Sequence, residues 1–137
     1  MIANGDTHGR ILVVDDEEDI ALFLKKALED HGFEAVTYSD PLLALSNFRK
    51  GSFDLVLVDI KMPTMDGFAL YQQLQTIDSE VKICLMTAFE VYYDALKEIF
   101  PDSYESICFI KKPFSVNDFV KKINAEMGGS DHKTVIE

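Results

Sequence analysis

Five short segments rich in apolar residues constrain the fold of this chain more than any other feature. A strand buried on both faces is apolar throughout, whereas a strand with one solvent-exposed face alternates. Between the runs lie segments whose apolar residues recur at helical spacing. This fivefold alternation predicts an α/β protein with a parallel sheet and helices on both faces. The predicted strands are residues 11–14, 33–38, 54–58, 81–86 and 107–110.

Residues at the segment ends mark where the helices begin and end. Gly32 is a stop signal after the first helix. Asp40 and Pro41 predict a capped start for a helix that runs to about Phe48. Further helices are predicted over 68–74, 90–100 and 116–127, and the last of these begins with a capping box at residues 115–118.

Length and charge limit the class of protein. The 137 residues suffice for one domain, which we expect over residues 10–127, between a leader at 1–9 and a polar tail at 128–137. A net charge of -11 repels a phosphate backbone and argues against nucleic-acid binding. Neither an apolar signal core nor a run of membrane-spanning length is present. We therefore expect a soluble, cytoplasmic domain that does not contact a membrane.

The chain has two cysteines, Cys84 and Cys108, and both fall inside apolar runs. They are far apart in sequence and have no histidine at metal-ligand spacing. We expect two buried, reduced thiols and no disulfide scaffold, as in proteins of a reducing compartment.

Polar residues follow four of the predicted strands. Asp15 and Asp16 follow the first strand, Asp59 the third, Thr87 the fourth and Lys112 the fifth. In an open parallel sheet, ligands bind outside the carboxyl ends of the strands. Taken alone, each residue is ordinary; an acidic pair in this position, for example, is typical of a solvated helix start.

Together, these strand-end residues indicate phosphoryl chemistry. Three carboxylates held close together either raise a pKa sharply or bind a cation. Oxygen ligands with room for water suit Mg²⁺. An exposed Asp59 carboxylate beside Mg²⁺ can act as a nucleophile toward a phosphoryl group. The Thr87 hydroxyl and the Lys112 ammonium can contact the phosphoryl oxygens.

Over residues 10–127, the chain resembles the receiver domain of two-component response regulators, the family that includes chemotaxis regulators. Four motifs carry the resemblance. It implies a flavodoxin-like five-stranded sheet in the order 2-1-3-4-5. The motifs are Val13-Val14-Asp15-Asp16, Asp59-Ile60-Lys61-Met62-Pro63-Thr64-Met65-Asp66-Gly67, Met86-Thr87-Ala88 and Lys112-Pro113-Phe114.

The resemblance also implies a role for each site residue. Asp59 would accept a phosphoryl group from a phosphohistidine on a sensor histidine kinase or a histidine phosphotransfer protein. Asp16, Asp59 and the backbone carbonyl of Lys61 would bind Mg²⁺ directly, and Asp15 would bind it through water. Lys112 would pair with the phosphoryl group.

Phosphorylation would then change the surface of the domain. Thr87 would move toward the phosphoryl group, Phe109 would turn inward, and the bond from Lys112 to Pro113 would be cis. The last two helices and the fifth strand would present an altered surface to a downstream protein target, through a shift between two packings. Phe109 stands where the family often has tyrosine, and the stretch between Thr87 and Lys112 is a few residues longer than usual.

Three other functions share parts of this pattern. A phosphatase of the haloacid-dehalogenase type needs a second acid two residues after its nucleophile, where this chain has Lys61. A flavin-binding module needs a phosphate-binding loop after the first strand, and the acidic pair occupies that position. A pseudo-receiver that only docks remains the main alternative. The sequence leaves open whether the domain acts alone or within a longer regulator.

The residues that flank the site predict a long-lived phosphoryl group. Lys61 and Phe89 lie two residues beyond Asp59 and Thr87, and neither can position a water as a carboxylate or amide would. We expect self-dephosphorylation over hours rather than seconds. The double variant Lys61→Asn/Phe89→Glu should lose its phosphoryl group faster, as followed by intact mass. An unchanged rate would contradict this prediction.

Overall fold

A computed structural model describes residues 9–87, 92–102, 107–112 and 114–128. Its five strands form one parallel sheet in the order β2-β1-β3-β4-β5, which confirms the predicted flavodoxin-like fold. The strands are β1 (Arg10–Val14), β2 (Glu34–Tyr38), β3 (Leu55–Asp59), β4 (Lys82–Thr87) and β5 (Cys108–Lys111).

A helix follows each strand. The helices are α1 (Glu18–Asp30), α2 (Pro41–Asn47), α3 (Gly67–Ile77), α4 (Tyr92–Ile99) and α5 (Val116–Gly128). The main difference from the sequence prediction is α3, which continues beyond Leu74 for almost one more turn. Residues 75–77 of that turn are exposed, so no buried apolar position marked it in the sequence.

The core forms one apolar layer on each face of the sheet. Side chains from α1 and α5 cover one face, and side chains from α2 and α3 cover the other. All five residues of β3 are buried, as expected for the central strand of a sheet covered on both faces. Close packing of this kind holds the strand ends, and therefore the polar residues that follow them, in fixed positions.

The predicted helix-end signals act as expected. Asp40 accepts a hydrogen bond from the backbone N–H of Leu42 at 2.9 Å, and Pro41 is the first residue of α2. The hydroxyl of Ser115 accepts from the N–H of Asp118 at 3.0 Å, which is one half of a capping box. Gly32 follows α1 with a φ of 93°, a conformation that other residues adopt at a cost.

The prediction of two reduced thiols is wrong, because Cys84 and Cys108 form a disulfide bond. The two residues face each other in the parallel register of β4 and β5, with their Cα atoms 4.5 Å apart. Their separation of 24 residues hid this contact from the sequence.

Some predicted features lie outside the described residues. These are most of the leader, at residues 1–8, most of the tail, at residues 129–137, and the first two residues of the helix predicted over 90–100. Ala88, Phe89 and Pro113 also lie outside them. Among the described residues, no helix has both the length and the apolar character needed to cross a membrane.

Gly67 fits tightly against the end of β3. Its N–H donates to the carbonyl of Ile60 at 2.8 Å. A Cβ added at Gly67 would lie 2.6 Å from the carbonyl oxygen of Asp59 and 2.7 Å from the Cα of Ile60. Both contacts are with backbone, which cannot rotate away as a flexible side chain can.

We expect Gly67→Ala to destabilise the domain by about 1–3 kcal/mol, because the added methyl group must displace this backbone. Alanine favours a helix more than glycine does, so without the clash the change would be stabilising. Urea unfolding would measure the difference. Gln72→Ala, at an exposed position of the same helix, is the matched control and should change stability little. Equal behaviour of the two variants would contradict the prediction.

Candidate functional site

The register of the sheet brings the predicted site residues together at the edge formed by the C-terminal ends of the strands. Val14 of β1 pairs with Val58 of β3, so Asp15 and Asp59 follow side by side. Asp59 in turn pairs with Met86, which precedes Thr87. The N–H of Lys112 donates to the carbonyl of Thr87 at 2.7 Å, which holds the end of β5 against the end of β4.

Three carboxylates meet at this edge. One oxygen from each of Asp15, Asp16 and Asp59 lies within 4.8 Å of the other two. Asp15 is fully buried, Asp16 is half-buried, and Asp59 is 7% exposed. Such a group is electrostatically unfavourable unless a cation accompanies it. Cys84, Cys108 and Glu126 also place ligand-type atoms together, but the two sulfurs there form the disulfide.

Lys112 supplies one positive charge to the cluster. Its Nζ lies 3.1 Å from Oδ2 of Asp15 and 3.7 Å from Oδ1 of Asp59. The side chain of Lys112 is only 17% exposed, so solvent screens these contacts weakly. The shorter contact is with Asp15, whereas the sequence predicted that Lys112 pairs with a phosphoryl group on Asp59.

Burial raises the pKa of Asp59 to about 6. The charges of Asp15 and Asp16 contribute to the same upward shift of this pKa. Lys112 and a hydrogen bond from the backbone N–H of Lys61 act in the opposite direction. Desolvation is the largest of these effects because Asp59 is almost completely buried, and it exceeds the attraction of the lysine.

The carboxylates open into a cleft of about 540 Å³. Asp16, Asp59, Thr87 and Lys112 line it, so these four predicted residues share one solvent-accessible space, whereas the fully buried Asp15 does not border it. Lys61 also lines the cleft. Three further residues line the cleft but were not predicted as site residues, namely Glu17, Met62 and Pro63. Glu17 continues the acidic run after Asp16, which was the available signal.

The comparison with known protein families agrees with this geometry. The model of the response regulator receiver domain matches residues 11–124. This chain belongs to that family. It is therefore a receiver domain of two-component signal transduction.

Similar proteins differ in how much of their length this receiver spans. It is 33% identical to the transcriptional regulatory protein RprY of Bacteroides fragilis, over 85% of this chain but 48% of that protein. It is 34% identical to the response regulator receiver protein CpdR of Brucella abortus, over 83% of this chain and 92% of that protein. The chain thus spans about half of the longer regulator and most of the shorter one.

A solved structure shows the same fold. The response regulator TrrA of Thermotoga maritima, crystallised in complex with Mg²⁺ and BeF, has a TM-score of 0.74 and is 32% identical. The match covers 85% of this chain and 97% of TrrA.

The two predicted switch residues lie on neighbouring strands of the receiver. Thr87, at the end of β4, is buried. Phe109 of β5 is half-buried and packs against the core layer that contains residues of α2 and α3. Phe109 also borders a second cleft, of about 400 Å³, beside α5. Both residues are within the described structure, whereas Phe89 is outside it.

Removing the Asp59 carboxylate should stabilise the metal-free receiver in a pH-dependent way. Asp59 has a pKa of about 6 in the folded protein and an ordinary value of 3.8. Well below pH 3.8, it is protonated in both the folded and the unfolded state and costs nothing. Its destabilising effect grows as the pH rises to about 6 and then stays constant.

In the presence of a chelator, we expect Asp59→Asn to be about 1–3 kcal/mol more stable than wild type above pH 6. The advantage should fade toward pH 4. Urea unfolding across this range would measure it. Glu98→Gln, which removes an exposed charge, is the control for net charge and should show no such trend. An advantage for Asp59→Asn that is equal at pH 4 and pH 7.5 would refute this account.

Proposed function

We propose that this receiver accepts a phosphoryl group on Asp59, with Mg²⁺, from a phosphohistidine of a sensor histidine kinase or a histidine phosphotransfer protein. The observation that carries the proposal is the cluster of three carboxylates around one ammonium at the mouth of an open cleft. Such a cluster would combine a carboxylate nucleophile, a cation site and a basic group for the phosphoryl oxygens within a few ångströms.

The donor set and the charge of the cluster both fit Mg²⁺. Three carboxylates against one ammonium leave two negative charges unbalanced, and a divalent cation would neutralise them. All of the donors are oxygens, which Mg²⁺ prefers. We propose Asp16, Asp59 and the carbonyl of Lys61 as direct ligands. When bound, the ion would neutralise charge on the transferring phosphoryl group.

The contacts of Asp15 suit an indirect role through water. Its Oδ1 accepts from the N–H of Glu17 at 3.0 Å, and its Oδ2 accepts from Nζ of Lys112 at 3.1 Å. Both carboxylate oxygens are therefore already engaged. Asp16, in contrast, is half-buried and lines the cleft.

In the proposed reaction, a carboxylate oxygen of Asp59 attacks the phosphorus of the phosphohistidine. The bond from phosphorus to the imidazole nitrogen breaks, its electron pair stays on that nitrogen, and the nitrogen takes a proton from solvent as neutral imidazole leaves. The product is an acyl phosphate on Asp59. Lys112, whose Nζ lies 3.7 Å from Asp59 in the unmodified receiver, would balance the added charge as a point cation. The domain would catalyse only its own phosphorylation and dephosphorylation.

The added phosphoryl group would favour a second packing of the domain. We propose that the Thr87 hydroxyl moves toward a phosphoryl oxygen and that Phe109 turns into the space it leaves. The surface formed by α4, β5 and α5 would then differ between the two packings. A downstream protein that binds one packing better would read the signal.

The partners of the receiver are inferred from its charge and from its relatives. Two-component receivers take the phosphoryl group from a histidine kinase, and relatives here include transcriptional regulatory proteins. A net charge of -11 argues against direct nucleic-acid contact by this domain. We propose output through a protein target, from a cytoplasmic receiver domain at residues 10–127.

Intact mass spectrometry after treatment with acetyl phosphate would test the proposal. We expect wild type to gain one phosphoryl group with Mg²⁺ and none with a chelator, because the carboxylates repel the donor without the cation. Asp59→Asn should gain none. Asp66→Asn is the matched control on the same loop, since asparagine can keep the cap that Asp66 forms with the N–H of Ala69. Absence of an adduct on folded wild type with Mg²⁺ would favour the docking-only alternative.

A further inference from the structure

The disulfide between Cys84 and Cys108 joins an inner strand to the edge strand of the sheet. The two cysteines are register partners on β4 and β5, and β5 is the last strand in the order. Cys84 is fully buried in the core layer beneath α1 and α5, whereas Cys108 is half-buried at its border. A small reagent in solution can therefore reach Cys108 first.

The fold is held by more than this bond. Four residue pairs of β4 and β5, from Cys84 and Cys108 to Thr87 and Lys111, are already in register as a parallel ladder. Both faces of the sheet carry extensive buried apolar layers. Disulfides are indispensable mainly in small domains that lack such a core. The bond can therefore open without unfolding the domain.

The same two strands lead directly to the acceptor site. Thr87 lies three residues beyond Cys84, and Lys111 lies three residues beyond Cys108, a distance of about 10 Å along each strand. Phe109 is adjacent to Cys108 and packs on the opposite face of the sheet. A covalent bond at this position restrains any shift of β5 relative to β4.

We propose that Cys84 and Cys108 form a reversible redox pair whose oxidation restrains the response of the acceptor site. The regulatory part of this inference rests on the proposed phosphoryl acceptance. The reduced receiver is free to shift β5 and thus reaches the phosphorylated packing more readily. The oxidised receiver is held closer to the packing described here.

The oxidant is a low-molecular-weight disulfide such as glutathione disulfide. The Cys108 thiol loses a proton, and its thiolate attacks one sulfur of the reagent, which forms a mixed disulfide and releases one thiol. The Cys84 thiolate then attacks the Cys108 sulfur and releases the second thiol. Two protein thiols are oxidised, and one reagent disulfide is reduced to two thiols. Excess reduced glutathione drives both steps backward.

The first experiment tests reversibility without reference to phosphorylation. The folded protein is equilibrated with graded ratios of reduced to oxidised glutathione, quenched in acid and alkylated after unfolding. We expect intact mass to shift from two labelled thiols to none across the series, and to return when the ratio is reversed. A bond that resists excess reduced glutathione, or thiols that stay free in excess glutathione disulfide, would overturn the proposal.

The second experiment tests the coupling to Asp59. Phosphorylation by acetyl phosphate with Mg²⁺ is timed for the oxidised and the reduced wild type. Coupling free energies between sites commonly start near a fivefold effect, so we expect the reduced form to react at least about five times faster. Cys108→Ala, which cannot form the bond, should react at the reduced rate in either buffer.

The outcomes separate the two proposals. Equal rates for oxidised and reduced wild type would overturn the redox coupling and leave phosphoryl acceptance intact. If neither the oxidised nor the reduced wild type gains a phosphoryl group, phosphoryl acceptance is overturned, and the coupling with it. The glutathione titration would still decide separately whether the disulfide is reversible. If the phosphorylation rate of Cys108→Ala also differs between the oxidising and the reducing buffer, the coupling is overturned. The effect would then come from the reagent and not from the disulfide.

Discussion

The unbalanced negative charge at the carboxyl edge of the sheet is the constraint on which the site depends. Asp15, Asp16 and Asp59 approach one another within 4.8 Å, and Lys112 compensates only part of their charge. Burial makes this arrangement more costly, as the raised pKa of Asp59 shows. The strands that carry these carboxylates hold them close together because the packing of the apolar side chains fixes where each strand ends. The domain is thus less stable than it could be, because it keeps a negatively charged site that attracts cations.

The site and its surroundings use the same two strands for different purposes. The end of β4 carries Thr87, and the end of β5 leads into Lys112, whose N–H is bonded to the Thr87 carbonyl. Nearer the N-terminal ends of the same strands, the disulfide joins Cys84 to Cys108. Any rearrangement at the carboxylate site that moves β5 must therefore act against this cross-link. The mobility of β4 and β5 is therefore physically connected to the chemistry at their C-terminal ends.

Individual residues show how far sequence reasoning reached. The positions of Asp15, Asp16, Asp59 and Thr87 at one edge followed from the strand pattern, because parallel strands share a direction. The preference of Lys112 for Asp15 did not follow, since it depends on ångström-scale side-chain placement. Gly67 was visible in a motif, but its close fit against the β3 backbone appears only once α3 is docked. The disulfide was mispredicted for a similar reason.

The sequence by itself determined the fold class, the strand order implied by its family resemblance, and which residues form the acidic site. These properties depend on local periodicity and on strand-end motifs, which a linear pattern records. Only the tertiary structure decided the pairing of Cys84 with Cys108, the engagement of both Asp15 oxygens, and the entry of Glu17 into the cleft lining. Those properties depend on strand register and side-chain burial, which arise when segments distant in the chain pack together.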